Sequence, residues 1–149
     1  MAKVELTSAR TSEPDPERAA EELCRTLGSK PAKLVTLFAS SDRDQTALNA
    51  ALRKRLPQGT RLIGASTAGE IDNTGMHQGS VLASALSGDL EVGIGLGKGL
   101  SVDAVAAGAH ALARAAEDLG VRPQDLDPKK YVGLVIDDGL RYKKEELLL

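Results

Sequence analysis

Leu62-Ile63-Gly64-Ala65-Ser66-Thr67-Ala68-Gly69-Glu70-Ile71 decides how the chain reads: a short apolar run passes directly into small residues and ends on one carboxylate. The run is a strand, and the small side chains after it leave main-chain N–H groups uncovered, so a ligand can come close to the backbone. The stretch therefore predicts a strand that delivers a binding lip.

Upstream, Lys33-Leu34-Val35-Thr36-Leu37-Phe38-Ala39 is nearly continuous in apolar residues, as for a strand covered on both faces. Between the two runs, Asp42-Arg43-Asp44-Gln45 has capping-box spacing, and Leu48, Leu52 and Leu56 recur on one helical face until Pro57-Gln58-Gly59. Before them, Lys3–Arg10 alternates weakly, like an edge strand. A helix enters at Ser12–Glu17 and runs to about Leu27, with Ala19, Ala20, Leu23, Cys24 and Leu27 on its inner face. Cys24 thus reads as a small core residue.

Downstream, Thr67–Gly79 is a glycine-rich loop without a sustained period. Ser80–Leu86 and Leu90–Leu96 are strand candidates joined through Ser87-Gly88-Asp89. Ser101 is placed to cap a third helix whose inner stripe is Val105, Ala109, Leu112, Ala116 and Leu119. Tyr131–Ile136 reads as a last strand, followed by a short helix over Lys143–Leu149. The order β-α-β-α-β-β-β-α-β-(α) mixes crossovers with a meander. It predicts an α/β chain of α+β type, helices packed on a mixed parallel/antiparallel sheet.

Composition narrows the function. A length of 149 residues suits one domain, and a helix stopping on three leucines reads as an element cut partway, so a single partial domain over 1–149 is expected. With 19 basic against 21 acidic residues, the chain has no electrostatic footprint for nucleic acid or anionic lipid. One cysteine excludes an intrachain disulfide and a thiolate zinc cluster. No apolar stretch approaches a membrane span, and the N-terminus lacks a secretory signal, so a cytoplasmic location is expected.

Gly64-Ala65-Ser66-Thr67-Ala68-Gly69-Glu70-Ile71 resembles the signature of the FIST N-terminal sensory domain, with Ala65 standing where that family often has Cys. Leu37-Phe38-Ala39-Ser40, Gly79-Ser80-Val81, the segment Gly95–Ser101 and Asp138-Gly139-Leu140 resemble its flanking pieces in the same order. The resemblance implies a non-enzymatic, ligand-sensing module of signal transduction that binds amino acids or similar small polar metabolites. It also implies an unidentified signalling partner protein. Some members look like haem-binding nitric-oxide sensors, which makes His77 the candidate for haem; otherwise no cofactor is expected.

The residues support one arrangement of such a site. A ligand carboxylate would rest on the N–H groups near Ala68 and Gly69, a ligand ammonium on Glu70, with the Ser66 and Thr67 hydroxyls orienting it. Phe38, Ser40 and Ser41, at the end of the preceding strand, would form the other wall. The bland alternative is equally concrete: Thr67 and Glu70 have capping-box spacing, and the carboxylate simply folds back on its own neighbourhood.

Other motifs point away from chemistry. Gly64-Ala65-Ser66-Thr67-Ala68 approximates a nucleophile elbow, but no helical period follows the serine. Val92–Gly99 fits neither dinucleotide nor Walker spacing, and its alternate glycines instead predict close packing on one face. Asp137-Asp138 reads as a solvated turn rather than a metal site, and His110 shares a polar helix face. No metal and no catalytic residue is expected. The remaining alternative is a truncated interaction fragment that no longer senses, with homo-oligomer formation through an exposed sheet edge.

Overall fold

A computed structural model of the chain describes residues 3–28, 30–141 and 143–148. Two compact units follow one another, the first extending through Leu90 and the second beginning at Glu91.

In the first unit the strands are β1 (Val4–Thr11), β2 (Ala32–Ser40), β3 (Arg61–Thr67), β4 (Glu70–Asp72), β5 (Gly75–His77) and β6 (Val81–Gly88). Helix α1 (Pro16–Leu27) precedes β2, and α2 (Gln45–Arg55) joins β2 to β3. Four strands form one sheet in the order β1-β6-β2-β3, in which β2 and β3 are parallel and β6 is antiparallel to both its neighbours. The parallel pair needs the α2 crossover, whereas β6 returns through the small β4–β5 hairpin. The α+β class and the mixed sheet stand as the sequence predicts.

Local chemistry sets the helix ends. The Asp15 carboxylate accepts from the Arg18 amide at 2.9 Å with Pro16 in the first turn, and Gly28, at φ 83°, ends α1 in a conformation that suits glycine. Asp44 caps α2 by accepting from the Ala47 amide, and Arg53, Lys54 and Arg55 lie in its last turn, where the helix dipole favours cations.

Both helices cover the same face of the sheet. Leu23, Leu48 and Leu52 pack on Val35, Ala39, Val81 and Ala83 in an aliphatic core. Alternation puts Leu34, Thr36 and Phe38 on the opposite face of β2, where they are half-buried. Thus the strand is covered fully on one side only, and Phe38 is outside the core. Cys24 packs half-buried against that core, and burial, opposed by the nearby Arg55 charge, pushes its thiol pKa up.

Two segments read as strands take another form. Leu90–Leu96 does not pair with β6, because both edges of β6 are already filled by β1 and β2. Tyr131–Ile136 likewise has no ladder among the described residues, and a strand exists only through its partner. The supposed loop after β3, in turn, holds the β4–β5 hairpin, too short to register as a periodic pattern.

The second unit is organised around α3 (Ala104–Asp118), capped by Asp103 rather than Ser101, with the Ala106 amide donating to the Asp103 carboxylate at 2.9 Å. The Val92–Gly97 segment is laid along it. A Cβ on Gly93, Gly95 or Gly97 would stand 2.2, 1.8 or 2.0 Å from the carbonyl oxygens of Ala115, Ala111 and Ala107. Close packing, as the alternate glycines predict, therefore chooses the small-residue face of α3. Val105 and Leu112, expected inside, are exposed, whereas Ala104, Ala107 and Ala116 are buried. Short 3₁₀ turns at Pro123–Asp125 and Gly139–Arg141 and the one-turn helix α4 (Lys144–Leu147) complete this unit. Leu149, the last of the three closing leucines, and Tyr142 lie outside the described residues.

Candidate functional site

Parallel strands β2 and β3 stop together. Ser40 is the register partner of Thr67, the Ser41 amide donates to the Thr67 carbonyl at 3.1 Å, and the Ser40 amide donates to the Ser80 carbonyl at 3.0 Å. Three chain segments are tied at one corner of the sheet. The carboxyl ends of parallel strands are also where open α/β sheets present ligands.

Glu70 holds this corner from inside. Its side chain is almost fully enclosed, at 2% exposure. One carboxylate oxygen accepts from the Thr67 hydroxyl at 2.5 Å; the other accepts from the Ser80 hydroxyl at 2.5 Å and the Ser80 amide at 3.2 Å. Burial pushes the Glu70 carboxyl pKa up, but the Ser80 and Thr67 bonds more than reverse this, so it lies below its ordinary value. The carboxylate thus folds back on its neighbours, as the capping-box spacing allows. The partner is not a helix turn, since the chain proceeds into β4 rather than a helix.

Arg43 fastens the outer side. Its guanidinium donates to the carbonyls of Glu13 and Gly79, while its own amide donates to the Ser40 carbonyl at 3.0 Å. The Gln45 side-chain amide also donates to the Ser40 carbonyl, at 2.9 Å. Arg43 lies in the capping-box stretch and Ser80 in the family-like Gly79-Ser80-Val81, but the sequence does not mark these contacts, because Arg43 reaches main-chain carbonyls and Ser80 the Glu70 carboxylate, partners that only the fold brings near.

The predicted residues divide between two sides. Phe38 and Ser40 share a face of β2 that corresponds in register to Ala65 and Thr67. Ser66 pairs with Ala39 in register and stands on the other, helix-bearing side, exposed. Ser41 and Ala68 are exposed and Gly69 is half-buried at the strand ends. Among the described groups, none accepts a hydrogen bond from the Ala68 or Gly69 amide. A cavity of about 140 Å³ lies elsewhere in this unit, lined by Cys24, Leu27, Val35, Leu56 and Ala85 among others.

His77 ends β5. Its Nε2 lies 3.0 Å from Asp72 Oδ1 and 3.1 Å from the Thr74 hydroxyl. Asp72 also pairs with Arg10 at 2.9 Å, and the Thr74 bonds chiefly hold its carboxyl well below the usual carboxylate range. That ring nitrogen thus meets two polar side chains of its own hairpin. Among the described residues no three His, Cys, Asp or Glu side chains gather as a metal site, and Asp138 instead pairs with Arg141 at 3.1 Å. His110 is exposed on α3. No described helix is long and apolar enough to cross a membrane.

Against known proteins, a model of the FIST N domain matches residues 33–149, which includes the β2–β3 corner and all of the second unit. No curated protein matches the chain in sequence.

Proposed function

The chain belongs to the FIST N domain family, sensory domains associated with signal transduction and not a catalytic family, and from that membership we propose that it binds a small polar, anion-bearing metabolite such as an amino acid at the end of β2 and β3. The ligand's carboxylate rests on the Ala68 and Gly69 amides, and the Ser66 and Ser41 hydroxyls orient it. Phe38, Ser40 and Thr67 form the opposite side of the same corner. Glu70 acts as an internal strut that fixes the turn, not as the ligand's counter-charge. Binding changes a contact with a signalling partner protein.

One observation carries this reading: the turn is anchored through Glu70 and Ser80, yet among the described residues neither of its two amides has an acceptor. Unengaged amides at a fixed turn favour an anion, because no reorganisation is needed to meet it. The experiment is titration calorimetry against the amino acids and small carboxylic acids. At least one should bind, and Ser66→Trp, a substitution at an exposed position, should abolish that binding while leaving the fold intact. Absence of binding across the panel, or binding indifferent to Ser66→Trp, overturns the proposal.

A further inference from the structure

The first unit has a second hollow, at the far end of β2 from Ser40. This cavity of about 140 Å³ lies where Val35 and Ala85 are register partners, and Cys24, Leu27 and Leu56 reach it from the ends of α1 and α2. Cys24, Ala32 and Ala85 are small, and their short side chains leave open a space that an otherwise close-packed aliphatic core would fill.

The charged part of its lining is cationic, from Lys30 and Arg55. Each of them shares its carboxylate with a second lysine. Glu5 pairs with Lys30 and Lys3, and Glu17 with Arg55 and Lys54, so four cations face two carboxylates. The Arg55 guanidinium donates from Nη1 to Glu17 at 2.5 Å and to the Ala51 carbonyl at 3.0 Å. Among the described residues its Nε and Nη2 meet no acceptor. The helix ends add little competing negative charge, because the Cys24 and Leu52 carbonyls already accept from the Gly28 and Leu56 amides. Burial holds the Cys24 thiol in its neutral form.

An apolar hollow beside a guanidinium with donors to spare suits a molecule that is apolar at one end and anionic at the other. We propose that this cavity binds a short-chain aliphatic carboxylate of about four to six carbons, the guest size that such a volume admits, with its alkyl group against Leu27, Val35 and Leu56 and its carboxylate on Arg55. The site is separate from the β2–β3 corner and does not depend on it.

Titrating the full chain with butanoate, pentanoate and hexanoate, while amide chemical shifts are followed residue by residue, tests this. Saturable shifts are expected at Leu27, Val35, Leu56 and Ala85. Acetate, which lacks the alkyl group, and pentanol, which lacks the charge, should each bind at least about tenfold more weakly than pentanoate. Arg55→Gln should weaken pentanoate about tenfold and leave pentanol unchanged. Ala85→Leu should abolish binding of both by filling the hollow, and Cys24→Met, a flexible filler on another wall, should do the same if Ala85→Leu does not fold. Pentanoate shifts confined to residues 66–69 place the carboxylate on the β2–β3 corner and overturn this proposal alone. It is also overturned by the absence of shifts with all three acids, by equal affinity for pentanol and pentanoate, or by binding that survives the filled cavity.

Discussion

Glu70 and Ser80, ten residues apart, are joined twice: the Ser80 amide and the Ser80 hydroxyl both donate to one oxygen of the Glu70 carboxylate. These two hydrogen bonds to a single oxygen span the whole β4–β5 hairpin and fix where β6 begins. Removing the carboxylate leaves a buried amide and hydroxyl without an acceptor, a loss larger than that of one exposed hydrogen bond. Glu70→Ala should therefore destabilise the first unit by about 3 kcal/mol. The denaturant midpoint of this variant, set beside that of Ser80→Ala, measures it; a double variant much less costly than the sum of the two would confirm that they act as one pair.

Acid should weaken the same tie. The Glu70 carboxyl is held below its unfolded value, so its contribution is complete above the unfolded value and falls away as pH drops through the depressed folded one. The stability advantage of the native chain over Glu70→Gln should thus be constant near neutrality and shrink below about pH 4.3, the unfolded value for Glu. Thermal unfolding of both proteins across that range reads the difference directly. An advantage that grew on acidification would contradict the assignment.

Gly64 faces Leu37 across the parallel ladder, and a Cβ there would stand 1.8 Å from the Leu37 carbonyl oxygen. No rotamer relieves a contact with main chain. Gly64→Ala should therefore cost about 2 kcal/mol or more by forcing β2 and β3 apart. Amide hydrogen exchange should show the loss in residues 62–67 first, with α1 less affected.

Arg43 connects two turns that share no other described side-chain tie, through the carbonyls of Glu13 and Gly79. Truncating it strands two partly buried acceptors. Arg43→Ala should lower stability by about 2 kcal/mol and raise proteolytic nicking near Gly79, whereas Arg43→Lys, which cannot span both carbonyls, should recover only part of the loss.

How far the sequence could be read depended on whether a residue's role is local. The helix entry at Ser12–Glu17 and the capping-box stretch Asp42–Gln45 announce their helices because a cap acts within its own first turn, although the cap of α2 is Asp44 and not the Asp42 that the spacing points to. The apolar run from Leu34 to Ala39 announces β2 for the same reason. The inner stripe of α3 was not readable in this way: its large residues, Val105 and Leu112, outrank its alanines in hydropathy, yet the glycine segment approaches closest where side chains are smallest. Leu90–Leu96 looks like a partner for β6, but β1, far away in sequence, already occupies that edge. At the candidate site the turn of small residues was legible. The direction of Glu70 was not, since its spacing to Thr67 fits an outward ligand contact and an inward fold-back equally well, and only the arrival of Ser80 decides between them.

Where Gly93, Gly95 and Gly97 meet α3, main chain touches main chain on both sides of the seam. Such a seam carries no side-chain code to mutate gradually. A saturation library screened for folded protein should return varied residues at Val92, Ile94 and Leu96 but almost only glycine at the three positions between them, so tolerance along this stretch would alternate residue by residue like the teeth of a comb.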